Sequence, residues 1–304
     1  MTSCQPYTKP PTGDCQPLAR GLQSGRPACG LTREAGLAGR AGGARMTAET
    51  VTQPAVRTLP GQLGPGRIRR SMPVDAPYYQ EPPFYFRDAR AMTIAYETDA
   101  GAAAALLPEG LELPLPAMAR LMLVRYPFST FGPYNEAILG LECLWQGAPR
   151  FYIAHIAVTE VPPLVAGREV WGYPKKMAHI EIEQEAEFLR GTLERPRGVR
   201  LITAAMRMER PLPLPSGDGG GGSLSLRVIP AAGEGAPPAL AELIEVSNME
   251  SVTHEAWAGT GTLSFDTASA LDPWHCLPVG RITGAVYTRY DFTLPHGRVL
   301  KRYC

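Results

Sequence analysis

The sequence predicts an α+β protein built mainly from antiparallel β-strands, with a sheet curled into a cone or barrel and a few short helices. Three observations predict it. Strand-length apolar runs separated by turn signals dominate the chain after Gly110. The clearest helix signal is short and firmly bounded. Gly 32 and Pro 31 together make about a fifth of the 304 residues, too much for a bundle of long helices.

Taken in order, residues 1–70 read as a disordered extension. Between Met1 and Arg45 the only acids are Asp14 and Glu34, and Gly, Pro, Ala and Arg dominate without an apolar period. Such a composition buries too little surface to offset chain entropy. Met46 and Met72 offer alternative starts. The folded domain is expected over 75–304. It begins near Tyr78-Tyr79 and Pro82-Pro83-Phe84, with a strand at 92–97. Asp99 supplies an N-cap for a helix over 100–107, which Pro108 and Gly110 stop. Residues 117–128, 136–145 and 151–160 are strands whose nearly continuous apolar character suits cover on both faces; Gln146-Gly147-Ala148-Pro149 turns between the last two. A hairpin is expected at Phe188–Glu194 and 199–209, around Arg195-Pro196-Arg197-Gly198. Residues 216–223 form a glycine-rich loop without the G-K-[ST] of a phosphate loop. In Ile282–Leu294 one face carries Val286, Tyr290, Phe292 and Leu294 and the other Thr283, Tyr287, Arg289 and Asp291, as in a half-wetted strand.

Composition narrows the function classes. Lys+Arg 30 against Asp+Glu 29 leaves +1, without the basic excess of a nucleic-acid or membrane-surface binder. No apolar run approaches the roughly 20 residues of a membrane helix, and the N-terminus has no signal-peptide core. Six scattered cysteines without C-x-x-C spacing read as reduced thiols of a cytoplasmic protein. The five histidines have no metal-ligand spacing, and His254-Glu255 reads as a structural polar pair. The chain also lacks G-x-S-x-G, H-E-x-x-H and a strand-to-helix G-x-G-x-x-G.

The informative stretch is Val165-Ala166-Gly167-Arg168-Glu169-Val170-Trp171-Gly172-Tyr173-Pro174-Lys175-Lys176-Met177. Two lysines follow a proline inside an otherwise apolar and aromatic segment. Burying an ammonium, or placing a second one beside it, disfavours the charged form, and a neutral amine is a nucleophile toward carbonyl carbon. The residues alone equally allow two exposed lysines guarding a strand edge.

Gly167-Arg168-Glu169 followed by Tyr173-Pro174-Lys175-Lys176 resembles the Schiff-base segment of the acetoacetate decarboxylase family. Tyr96-Glu97-Thr98-Asp99, Leu107-Pro108-Glu109, Tyr134-Asn135-Glu136, Thr253-His254-Glu255-Ala256-Trp257 and Leu277-Pro278-Val279 recur in the same order, so the resemblance spans roughly 84–303. That family is itself the standard instance of a lysine activated by desolvation or a cationic neighbour. The resemblance implies a β-cone-like fold in a homo-oligomer, and decarboxylation of acetoacetate or a related β-keto acid without metal or organic cofactor. It makes 75–304 a catalytic domain, Lys175 the imine-forming lysine, Lys176 its neighbour and Glu136 an active-site carboxylate. Adjacent strand residues point to opposite faces, so Lys176 need not lie near Lys175, and dry surroundings are expected to matter more than Lys176.

The chain also departs from the family pattern. The family's active-site arginine falls on Ala89, with Arg87 and Arg90 close by. A one-residue slip makes Arg90 the substitute that binds substrate, though a slip also turns a residue to the other face. A second acidic position falls on Leu121, which would then contribute an apolar substrate contact. These departures leave room for a larger keto acid, and for an aldolase-, dehydratase- or hydratase-type step through the same imine. A non-catalytic barrel binding an apolar ligand is a third reading.

Overall fold

The near-continuous apolar runs become the centre of a curled sheet, and each is covered on both faces. The computed structural model describes residues 57–214 and 222–304. Most of the expected extension over 1–70, and most of the loop over 216–223, lie outside the described residues.

Among the described residues fifteen strands join in one sheet. They are β1 (Phe84–Glu97), β2 (Leu111–Glu112), β3 (Met118–Tyr126), β4 (Phe128–Ser129), β5 (Tyr134–Trp145), β6 (Ala148–Val158), β7 (Lys175–Met177) and β8 (His179–Glu185), then β9 (Phe188–Glu194), β10 (Arg200–Pro211), β11 (Ser223–Ile229), β12 (Leu240–Val246), β13 (Met249–Phe265), β14 (Ile282–Leu294) and β15 (Arg298–Arg302). The main path runs β15-β12-β11-β6-β5-β3-β1-β14-β13-β10-β9-β8; β2, β4 and β7 pair with β5, β1 and β6 off this path. Pairing is antiparallel except where β6 meets β7 and β11. The sheet curls without closing: Asn135 at the start of β5 donates its side-chain amide to the Ile180 carbonyl on β8, at 2.9 Å.

Local chemistry accounts for the boundaries. Helix α1 (Ala100–Leu106) starts where Asp99 Oδ1 accepts from the Ala102 amide at 2.7 Å. The β5–β6 hairpin closes on two residues, Gln146 and Gly147, with φ 53° and 77°, the positive values a twisted two-residue turn requires. Helix α2 (Val161–Ala166) runs straight into one π-turn, Gly167–Trp171.

Alternation on the central strands feeds two cores. Ala119, Leu121 and Leu123 of β3 join Leu139, Leu141, Ile94 and Tyr96 in one. Val124 and Tyr126 join Phe86, Tyr134, Ile156 and Trp171 in the other. At about 25 cal/mol per Å², each such fully buried side chain contributes about 1.5–3 kcal/mol.

Two strands differ from expectation. On β14, Tyr287 belongs to the supposedly wet face yet packs with Ala285 in the first core, while Phe292 and Tyr290 turn to the second. The strand crosses from one core to the other, so no single face stays dry. On β1 the register slips between Phe86 and Ala89, with Asp88 at φ 56°. This bulge inverts the parity: Phe84 and Phe86 before it, and Ala89 and Ala91 after it, face the second core.

Candidate active site

The second core does not fill its own centre. A cavity of about 320 Å³ remains among β1, β3, β5, β6, β7 and β14, walled by Phe86, Met122, Tyr126, Tyr134, Ile138, Ile156, Trp171, Tyr173, Tyr290 and Phe292. Lys175 and Glu136 project into it. Both are nearly inaccessible, at 6% and 4% exposure, and Lys175 Nζ lies 2.7 Å from Glu136 Oε1. That approach has an ion pair's distance but not a hydrogen bond's angles, so Oε1 is otherwise without a partner. Oε2 accepts from the Tyr126 hydroxyl at 3.0 Å, which fixes the carboxylate's orientation.

The motif around the lysine has a physical reading, residue by residue. Pairing of β7 with β6 sets Lys175 beside Ile156. The π-turn brings Gly167 under the lysine stem: a Cβ there would fall 2.6 Å from Lys175 Cδ and 2.7 Å from Cε. Only hydrogen fits. Arg168 donates to the Lys175 carbonyl at 3.2 Å, and Glu169 accepts from Ser71 and Tyr79 at 2.7 and 2.6 Å, tying the preceding segment to the turn. The rings of Tyr134 and Tyr173 stand 5.8 and 5.7 Å from Nζ, within cation–π range.

The cavity is dry enough to perturb its phenols. Burial first, and the Glu136 charge second, push Tyr126 and Tyr134 well above the usual tyrosine range. Burial raises Tyr173 and Tyr290 as well. All four stay protonated near neutral pH, and Tyr126 donates to Glu136 as a neutral phenol.

Lys176 is not part of this site, because alternation turns it to the other side of the sheet. Its Nζ lies 3.0 Å from Asp272 Oδ1 and also donates to the Leu271 carbonyl. Arg195 donates to Asp272 Oδ2 at 2.9 Å. His155 packs against Trp274 in the same small cleft, the two rings tilted by 41°; burial, then the Lys176 charge, push its imidazole down to about 4.

Two further expectations are corrected. Arg90 does not reach the cavity: the bulge at Asp88 gives the inward position to Ala89, while Arg90 pairs with Asp88 at 2.6 Å, which in turn meets Arg289. Leu121, at 1% exposure, packs in the first core on the face away from the cavity. Its neighbours Arg120 and Met122 line the wall instead. Sequence reasoning missed Arg120, because β3 carries a second arginine, Arg125, and nothing in the run marks which of the two faces the cavity. His254 sits with Asp291 at 3.2 Å, outside the cavity lining. Among the described residues no group of three or more His, Cys, Asp and Glu side chains is placed to share a metal ion.

Residues 71–304 match the family model described as acetoacetate decarboxylase. The chain belongs to the acetoacetate decarboxylase family. It is thereby a carbon–carbon lyase of the carboxy-lyase type. It is 32% identical over 237 residues to an acetoacetate decarboxylase of Acidiphilium cryptum, covering 77% of this chain and 95% of the relative. The crystal structure of an acetoacetate decarboxylase from Legionella pneumophila superposes with a TM-score of 0.68 at 26% identity, over 83% of this chain and 94% of that one. The enduracididine biosynthesis enzyme MppR, complexed with the condensation product of pyruvate and imidazole 4-carboxaldehyde, shares the fold at a TM-score of 0.67 and 23% identity, over 81% and 100% of the two chains.

Proposed function

We propose that this chain decarboxylates acetoacetate or a related β-keto acid through a Schiff base on Lys175, within a catalytic domain spanning 75–304. One observation carries the reading: a lysine and a glutamate 2.7 Å apart, both buried, at the wall of a largely aromatic cavity. Glu136 is placed to take a proton from Nζ, which leaves a neutral amine. The amine adds to the ketone carbon. Glu136 returns the proton to the departing hydroxyl, water leaves, and an iminium forms. That cation draws the electrons of the C–C bond to the carboxyl group, so CO2 departs and an enamine remains. Glu136, reprotonated from water, gives that proton to the enamine carbon; water then adds to the resulting iminium, the ketone leaves, the amine is restored and the released proton returns to Glu136. Tyr126 stays a neutral donor and holds Glu136 in line throughout.

The expected test result is irreversible labelling of Lys175 when borohydride is added with a β-keto acid, together with stoichiometric CO2 release without borohydride. A second reading, in which the same imine serves a different carbon–carbon step, is favoured by the alanine at position 89 and by Arg90 facing away. There is then no guanidinium at that position to hold the scissile carboxylate. Labelling without CO2 release selects it.

The proposal includes a homo-oligomer, supported by exposed apolar side chains such as Tyr85 and Phe128, and a cytoplasmic setting, supported by the free thiols of Cys143 and Cys304. Among the described residues no helix is long and apolar enough to cross a membrane.

A further inference from the structure

Among the described residues, Arg120 is the one cationic side chain on the cavity wall besides Lys175, and it stands at the opposite end. On β5, Glu136 lies opposite Val124 of β3, whereas Gly140 lies opposite Arg120. Four residues of strand separate the two levels, about 13 Å at the usual rise. Met122 and Ile138 face each other between them, so the intervening wall is apolar.

The Arg120 end is a built seat. A Cβ on Gly140 would fall 2.5 Å from Phe151 Cζ, so the glycine lets the Phe151 ring lie flat across β5. The guanidinium then rests on that ring, 4.5 Å from its centroid. Its Nε is ion-paired with Glu142 Oε1 at 3.5 Å, too long and misaligned for a hydrogen bond, and the side chain as a whole is 36% exposed. A guanidinium held by a ring face and one long ion pair keeps the planar fork of donors that suits an oxyanion ligand. Ser223 pairs with Phe151 across the β6–β11 junction, and Ser247 and Asn248 follow the β12 residue opposite Ser223, adding hydroxyl and amide groups to the same end of the cavity.

We propose that the substrate is a keto acid longer than acetoacetate, carrying a second carboxylate or similar oxyanion at its far end. Lys175 and Glu136 take the reacting carbonyl, the apolar wall takes the chain, and Arg120 holds the remote anion. The proposal rests on the Schiff-base reading for the identity of the reacting end.

The test compares a graded series of β-keto diacids with monoacids of equal length ending in methyl. Wild-type protein is expected to favour a long diacid over its matched monoacid by about 10- to 100-fold in kcat/KM, carried by KM. Arg120→Met is expected to erase that preference, while Arg120→Lys keeps part of it. Calorimetry with straight-chain dicarboxylates lacking the ketone reads the remote end alone and requires no imine. No diacid preference in the wild type, or unchanged dicarboxylate binding in a folded Arg120→Met, overturns the proposal. If dicarboxylates bind through Arg120 but no keto acid labels Lys175, the Schiff-base reading falls while the anion seat stands.

Discussion

Lys175 and Lys176 are neighbours in the chain and strangers in the fold. One reaches into a largely aromatic cavity against a buried carboxylate; the other, itself 43% exposed, pairs with Asp272 on the opposite face of the sheet. The same side chain thus meets two electrostatic regimes within one peptide unit. Strand alternation alone makes the difference, so reactivity belongs to the face rather than to the residue type.

Substitutions on the two faces sharpen that contrast. The largest effect is expected for Glu136→Gln, which keeps the shape but removes the proton acceptor. Its kcat should fall by about 10²- to 10⁴-fold in steady-state assays, with little change in melting temperature. A similar loss in Asp272→Asn, on the opposite face, would break the comparison.

Gly167→Ala comes next. The added methyl must displace the Lys175 stem or the turn, costing about 1–3 kcal/mol by chemical denaturation. Turnover is expected to drop more than stability does, because the stem moves more easily than the backbone. The variant can be read by denaturation and borohydride labelling in parallel.

On the far face the effect is on folding and depends on pH. His155 titrates near 4 when folded and near 6.5 when unfolded. Between these values the unfolded chain binds a proton that the folded chain refuses. Stability is therefore full above about pH 6.5 and declines as pH falls, by up to about 1.4 kcal/mol per unit. Melting curves across that window should show a shallower slope in His155→Gln. An unchanged slope removes His155 from the account.

Lys176→Met should matter least: about a twofold change in kcat or less, and within about 1 kcal/mol in stability, as for other half-exposed ion pairs.

The legibility of the molecule in its sequence follows the same division. The central strands declared themselves because burial on two faces leaves no polar interruptions, and Lys175 stood out as a charge after Pro174 in an apolar stretch. Glu136 was visible only through the resemblance carried by Tyr134-Asn135-Glu136. Arg90 and Leu121 misled for one reason. Each choice depended on knowing which way a strand residue faces. A single bulge residue, Asp88 at φ 56°, reset that parity on β1. On β3 both faces are apolar, so hydrophobicity could not separate Leu121 from the wall-lining Met122. Arg120 and Gly167 emerge only in three dimensions, since their meaning lies in a ring and a lysine stem contributed by distant segments.

The most direct test localises the adduct. Wild-type, Lys175→Ala and Lys176→Ala proteins are treated with a β-keto acid and borohydride, digested, and read by fragment mass across residues 175–176. The account predicts label on Lys175 in the wild type and in Lys176→Ala, and none in Lys175→Ala. Label on Lys176, or an unlabelled wild type, contradicts it.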